Sequence, residues 1–113
     1  LDGMKADIYF LKGIKTNDIA YFNVAYNLFP FKKEIVVAKA EFEIRQGIIN
    51  EKTISDIESA LKYDPYSINL LSMLTQYNRI LNNNEKSSEY FNKLNSIAFN
   101  SNLVKELVKL GYK

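Results

Sequence analysis

Apolar residues recur along this chain at spacings of three and four, and short polar breaks containing Gly, Pro or Asn interrupt them. Such spacing is the signature of one face of a helix, and we find no convincing strand alternation. The pattern therefore predicts seven helical segments. Their approximate ranges are 5–12, 17–29, 32–46, 52–63, 68–81, 85–97 and 102–110.

Several segment boundaries carry recognisable start and stop residues. Ser67 suits a helix N-cap, because its hydroxyl can accept from a free backbone N–H of the first turn. Gly47 and Gly111 suit the position just after a helix end. Pro65 ends the segment before it, since the residue preceding a proline is pushed away from helical angles. The Asn run at 82–84 ends another segment, because Asn tolerates a left-handed backbone.

Similar side chains recur with a period of about 34 residues, which indicates an internal repeat. Pro30 and Pro65 are one position further apart than this period, and a turn absorbs the extra residue cheaply. The joint at Pro65 then separates two helix pairs, each of about 34 residues. The matched positions are Thr53 with Ser87, Ile57 with Phe91, Ala60 with Leu94, Pro65 with Phe99, Val37 with Leu71, Ala40 with Leu74, and Ile44 with Asn78.

The predicted core consists of the side chains that share a face within each segment. A modest core fits a single domain of 113 residues that is 47% hydrophobic and 25% charged. From the third segment onward we expect these inward positions: Val36, Val37, Ala40, Ile44, Ile54, Ile57, Ala60, Leu61, Leu70, Leu71, Leu74, Tyr77, Leu81, Ser87, Tyr90, Phe91, Leu94, Leu103, Val104, Leu107 and Val108. Ile68 and Ile80 extend the apolar pattern of the fifth segment.

Composition excludes several classes of function. The chain has no Cys and no His, which removes the usual zinc sites and both thiol and imidazole catalysis. The net charge is +2 and the basic residues are scattered, so we expect no nucleic-acid partner. No apolar run reaches about 18 residues, so we expect no membrane insertion by this segment. The chain begins at Leu1, and we expect a fragment of a longer protein.

Catalytic constellations are not visible. Glu41 and Glu43 are two residues apart, as are Asp56 and Glu58, and this spacing points the carboxylates to different faces of a helix. Ser87 has no His partner and no Gly-rich elbow. We therefore expect neither an enzyme nor a cofactor site or metal site.

The stretch from residue 64 to 101 resembles the tetratricopeptide repeat (TPR). Leu71 stands where that family favours Trp, Ser87 fills the small position and Phe91 the large aromatic one. Asn82 departs from the pattern, since the family favours Gly there. The resemblance implies an all-α fold, a short right-handed superhelix of TPR-like antiparallel helix pairs with a C-terminal capping helix. It implies one domain over 1–113, with a half-unit at 1–30, units at 31–65 and 66–99, and a cap helix at 100–111.

The resemblance also implies a partner-binding surface, because the first helix of each TPR pair lines the inner groove. Arg45 and Arg79 occupy matched positions of the repeat and would stack on that surface. Two arginines beside amide side chains suit an extended peptide with a carboxylate. The alternative is two solvated arginines. The full predicted set is Phe42, Arg45, Asn69, Ser72, Gln76 and Arg79.

A second resemblance rests on "DPYS" at 64–67 followed by an apolar helix. It looks like the soluble tail of bacterial membrane proteins of the O-antigen ligase and polymerase group. That would imply a non-catalytic protein-binding module on the periplasmic side of the inner membrane. Two alternatives stay open: a structural appendage that packs on its own membrane domain or self-associates, and a cytoplasmic TPR-like adaptor or regulator.

Overall fold

The computed structural model describes residues 33–113, and this part of the chain is all-helical, without strands. The all-α prediction is therefore confirmed there. The first two predicted segments, near residues 5–12 and 17–29, lie outside the described residues. The helices are α1 (Lys33–Arg45), α2 (Glu51–Leu61), α3 (Ile68–Ile80), α4 (Asn84–Ile97) and α5 (Asn102–Lys109).

Side-chain caps begin three of these helices. Ser67 and Ser101 each accept from the backbone N–H three residues on, at 3.2 Å, which confirms the predicted cap of α3 and gives α5 a cap of the same kind. Sequence reasoning missed the third cap. Asn50 Oδ1 accepts from the backbone N–H groups two and three residues on, at 3.0 and 3.1 Å. Helix α2 therefore begins at Glu51, slightly earlier than the predicted start near residues 52–53.

Three helices end in a left-handed residue, as the sequence predicts. Gly47, Asn82 and Gly111 follow α1, α3 and α5 with φ values of 74°, 63° and 93°. In each case the next residue donates its N–H to the carbonyl five positions back, at 2.8, 2.7 and 3.0 Å. This pair of features defines the Schellman motif, which satisfies carbonyls that a helix end leaves free. Helix α2 ends at Leu61, two residues before the predicted end at Tyr63.

The core is formed by the inward faces of α1 to α4, with a contribution from α5. Four of the pairs matched in the sequence are buried in both members: Thr53 with Ser87, Ile57 with Phe91, Ala60 with Leu94, and Ala40 with Leu74. Pro65 and Phe99, which were also matched, are both exposed. The apolar side chains below 2% exposure are Ile35, Val36, Ile54, Ile57, Ala60, Leu70, Leu71, Leu74 and Leu94.

Helices α3 and α4 approach closely where a small residue faces backbone. Ser87 donates its hydroxyl proton to the carbonyl of Thr75 at 2.7 Å, and both side chains are buried. A larger side chain in place of Ser87 would hold the helices apart. The prediction that this position is small for a close crossing agrees with the contact.

Side-chain bridges join α2 to α4 along their length. Asn83 Nδ2 donates to Glu51 Oε1 at 3.0 Å, and the Tyr90 hydroxyl donates to Glu58. Both pairs have the same separation along the chain, and the second bridge lies two helical turns after the first on each helix. Helices α2 and α4 therefore run parallel and in register. Lys86 adds an ion pair to Glu58 at 4.0 Å.

One predicted core position is wrong. Val108 is 55% exposed, because α5 directs Val104 and Leu107, together with the half-buried Leu103, towards the core. Ile68 and Ile80, which extend the apolar pattern of α3 but were not assigned to its core face, are 42% and 53% exposed at the two ends of that helix.

Candidate partner-binding surface

Four polar side chains of α3 lie on one helix face, at spacings of three, four and three residues. Asn69 and Arg79 are exposed, Gln76 is half-buried, and Ser72 is buried. Gln76 Nε2 donates to Ser72 Oγ at 2.9 Å, so these two predicted site residues contact each other directly. This face of α3 therefore presents Asn69 and Arg79 at its two ends. Between them lies the half-buried amide of Gln76, which the buried Ser72 hydroxyl holds in place.

Helix α1 supplies the other two predicted residues, which differ in exposure. Arg45 is the last residue of α1 and is exposed. Phe42 is 6% exposed, so its ring belongs to the interior. A partner on this surface would reach the guanidinium of Arg45 but not the Phe42 ring.

The guanidinium of Arg79 is engaged by a later part of the same chain. Its Nη1 donates to the carbonyl of Leu110 at 2.9 Å, and its central carbon lies 4.2 Å from the centroid of the Tyr112 ring. The Tyr112 ring in turn stacks on Phe91, with centroids 6.4 Å apart and an interplanar angle of 30°. A cation over a ring face is attracted by the ring quadrupole, so the three side chains form one assembly.

The turn after α5 places the Leu110 carbonyl and the Tyr112 ring against Arg79. Gly111 takes a positive φ of 93°, and Tyr112 donates its N–H to Leu107 at 3.0 Å. Gly111 was predicted from sequence as the helix stop. The contact of Tyr112 with Arg79 was not predicted, and the side chain of Tyr112 is half-buried.

A buried lysine joins α1 to α2. Lys39 is 8% exposed, and its Nζ lies 3.2 Å from Asp56 Oδ2 and 3.8 Å from Glu43 Oε1. Asp56 also pairs with Lys52 at 3.3 Å, and the Thr53 hydroxyl donates to Glu43 at 3.4 Å. Buried charges need such partners, because desolvation is otherwise costly. Glu43 and Asp56 thus act as counterions here.

The Lys39 network was missed from sequence, although a signal was present. Lys39 lies beside Ala40 and three residues after Val36, which places a charge within the apolar face of α1. A carboxylate four residues later, Glu43, offers it a partner on the same helix. Together these positions indicate a paired internal lysine.

Two tyrosines have raised pKa values. Burial raises the pKa of Tyr77 to about 12, with further contributions from the charges of Glu41 and Glu43. The pKa of Tyr90 is raised by burial, then by its hydrogen bond to Glu58 and the charge of that carboxylate. Both phenols therefore stay protonated well above neutral pH.

Across residues 33–113, every buried polar side-chain atom has a partner, and no three acidic, His or Cys side chains converge as metal ligands. None of the helices described is both long and apolar enough to span a bilayer.

Comparison with known proteins leaves the family open. No family model matches the chain, and no curated protein matches it significantly. Assignment to a class therefore depends on the helix arrangement and on the surface described above.

Proposed function

We propose that this chain is a non-catalytic module that binds a protein or an extended peptide along α1 and α3. The observation that carries the proposal is the exposed polar stripe of α3, with Asn69 and Arg79 at its ends and Gln76 between them. Amide and guanidinium groups along one helix face can pair with the backbone and the carboxylates of an extended peptide.

The helix arrangement supports a TPR-like stack with α5 as its cap. Because α2 and α4 run parallel and in register, they occupy equivalent places in successive helix pairs. Helices α1 and α3 are then the first helices of those pairs, which line the inner groove in a TPR array. Arg45 and Arg79, which occupy matched positions of the repeat, fall near the ends of these two helices.

We place the module on the periplasmic side of a bacterial inner membrane, as part of a protein of envelope polysaccharide assembly. The support is the sequence phrase at 64–67 followed by α3. Reporter fusions after Lys113 in the native gene test this placement. Active alkaline phosphatase is expected there. A fluorescent cytoplasmic reporter with no phosphatase activity would instead favour a cytoplasmic adaptor.

Selection from a random-peptide phage library on the purified chain tests the binding function. We expect enrichment of extended peptides that contain Asp or Glu. A hydrogen bond to a charged group is worth about 1.5–3 kcal/mol, so Arg45→Gln should weaken such peptides about tenfold or more. Asn69→Ala should weaken them as well. Lys105→Gln removes one exposed positive charge from α5 and is the matched control.

Two results would contradict the binding function. One is a library that yields no enriched sequence after repeated rounds. The other is a set of peptides that bind the Arg45→Gln and Asn69→Ala variants as tightly as the unmodified chain, since those peptides would sit elsewhere.

A structural role is the second candidate, favoured by exposed apolar side chains at the α4–α5 end. Phe99 is 75% exposed and Val108 is 55% exposed, and both line one surface groove. Such a patch marks packing against another surface or a second copy. Sedimentation from low to high micromolar concentration tests self-association. A concentration-dependent dimer that Phe99→Ser abolishes would support this role over peptide binding.

A further inference from the structure

The guanidinium of Arg79 is already bound by two groups of the same chain. The Leu110 carbonyl accepts a hydrogen bond from it at 2.9 Å, and the Tyr112 ring lies beneath it at 4.2 Å. We propose that residues 110–112 are an intramolecular occupant of the partner-binding surface, and that a partner displaces them with a peptide carrying an acidic residue two positions before an aromatic residue. This inference rests on the proposed binding function.

The chemistry of the expected partner follows from the chemistry of the occupant. Residues 110–112 present a neutral carbonyl and, two residues later, an aromatic ring. A carboxylate in place of that carbonyl would form a charge-assisted and bidentate pair with Arg79, which is stronger than a bond to a neutral acceptor. An aromatic side chain in place of Tyr112 would keep the stack on Arg79 and Phe91. A peptide with an acidic residue two positions before an aromatic residue should therefore bind Arg79 more strongly than residues 110–112 do, because its acceptor is charged.

The occupant can leave without unfolding its helix. Leu110 is 63% exposed, so its own movement uncovers little apolar surface. Tyr112 is half-buried against Phe91, so the aromatic ring of the incoming peptide has to cover Phe91 in its place. Val104 and Leu107, which anchor α5, are 5% and 2% exposed and lie before the turn. Displacement thus moves the residues that follow α5 and leaves the helix in place.

Polar side chains next to Arg79 could bind the backbone of the peptide on either side of its acidic and aromatic residues. Arg79, Tyr112, Asn84 and Ser88 line a depression of about 200 Å³. Asn84 is exposed and Ser88 is half-buried. An amide and a hydroxyl can bond to a peptide backbone on either side of the Arg79 contact.

Nuclear magnetic resonance can follow the occupant directly, because the chain contains only two arginines, Arg45 and Arg79. The Nε–H signal of Arg79 should be shifted upfield by the Tyr112 ring current, relative to that of Arg45. Tyr112→Ala should abolish the shift, whereas Lys105→Ala on exposed α5 should preserve it. An unshifted Arg79 signal in the unmodified chain would overturn the proposal.

Displacement is tested by adding unlabelled peptide to the ¹³C-labelled chain. The probe is a synthetic peptide of residues 102–113 carrying Leu110→Glu, and the matched control peptide has the native sequence. The Glu peptide should bind at least several-fold more tightly and should move the labelled Tyr112 ring signals to free-tyrosine positions. It should bind the Tyr112→Ala chain more tightly still, since the competitor is weakened.

The outcomes separate this inference from the binding function. If peptides from the library bind but the Tyr112 signals stay in place at saturation, the displacement is wrong and the binding function stands. If the Glu peptide binds the unmodified chain and the Tyr112→Ala chain with equal affinity, the displacement is likewise wrong and the binding function stands. If neither library peptides nor the Glu peptide binds, both proposals are wrong.

Discussion

Replacing Phe91 by Ala should strongly destabilise the protein. Phe91 lies on α4, is 4% exposed and stacks on Tyr112. Removing a buried ring forfeits its transfer free energy and leaves a cavity, and such changes cost about 3–5 kcal/mol. Folded domains are stable by only about 5–15 kcal/mol, so the loss would be a large share of the total.

Urea and thermal unfolding measure this cost, with circular dichroism at 222 nm as the signal. In a domain of this size, 1 kcal/mol corresponds to about 4 °C, so a fall in Tm of roughly 12–20 °C is expected. Phe99→Ala is the matched control, because it makes the same chemical change at a side chain that is 75% exposed. Exposed substitutions of this kind usually stay within about 0.5 kcal/mol.

The comparison between the two variants can refute the reasoning. A cost for Phe91→Ala below about 1 kcal/mol, within the surface range, would mean that Phe91 is not a core residue. Equal costs for Phe91→Ala and Phe99→Ala would mean that the register of α4 against the core is wrong. Either result would also undermine the match of Phe91 with Ile57.

Three further predictions follow from the helix ends and the buried polar groups. Asn82→Gly should raise the free energy of unfolding by up to about 1 kcal/mol, because Asn82 holds φ at 63° and Gly adopts that region freely; urea titration without a gain would contradict this. Lys39→Met should cost about 1.5–3 kcal/mol by removing a charged hydrogen bond to Asp56, which keeps its pair with Lys52, against under about 0.5 kcal/mol for exposed Lys105→Met. The folded pKa of Tyr77 is raised to about 12, so the unfolded phenol ionises first, and stability present below pH 10 should be lost as pH rises towards 12. Tyr77→Phe should flatten that loss in alkaline unfolding curves, and an unchanged slope would argue against the raised pKa.

Local signals made most of the helix boundaries predictable from sequence. Ser67 caps α3, and Gly47 and Gly111 take the positive φ that a helix stop requires. These features depend on a few neighbouring residues, so a single sequence contains them. The buried faces of α2, α3 and α4 followed from periodicity for the same reason, since a helix has only one side on which apolar spacings of three and four coincide.

The candidate surface was less predictable, because its state depends on contacts between distant residues. Arg79 and Tyr112 lie far apart along the chain, and the turn at Gly111 decides that they meet. Phe42 was placed on the surface by analogy with a helix position, whereas its burial depends on what packs beside α1. Val108 shows the converse, since an apolar residue stays exposed when no described helix covers that side of α5.

The paired bridges between α2 and α4 bear on how the protein unfolds. In a linear array of helix pairs, each unit contributes an intrinsic stability, and each interface adds a nearest-neighbour coupling. In the array proposed for this chain, Glu51–Asn83 and Glu58–Tyr90 would belong to the interface between the α1–α2 pair and the α3–α4 pair. A chain with strong coupling opens as one cooperative unit, whereas weakening both bridges would let the α1–α2 pair exchange its amide hydrogens earlier than α3–α4. In that proposed array, the two bridges would set how far a local opening spreads from one helix pair to the next.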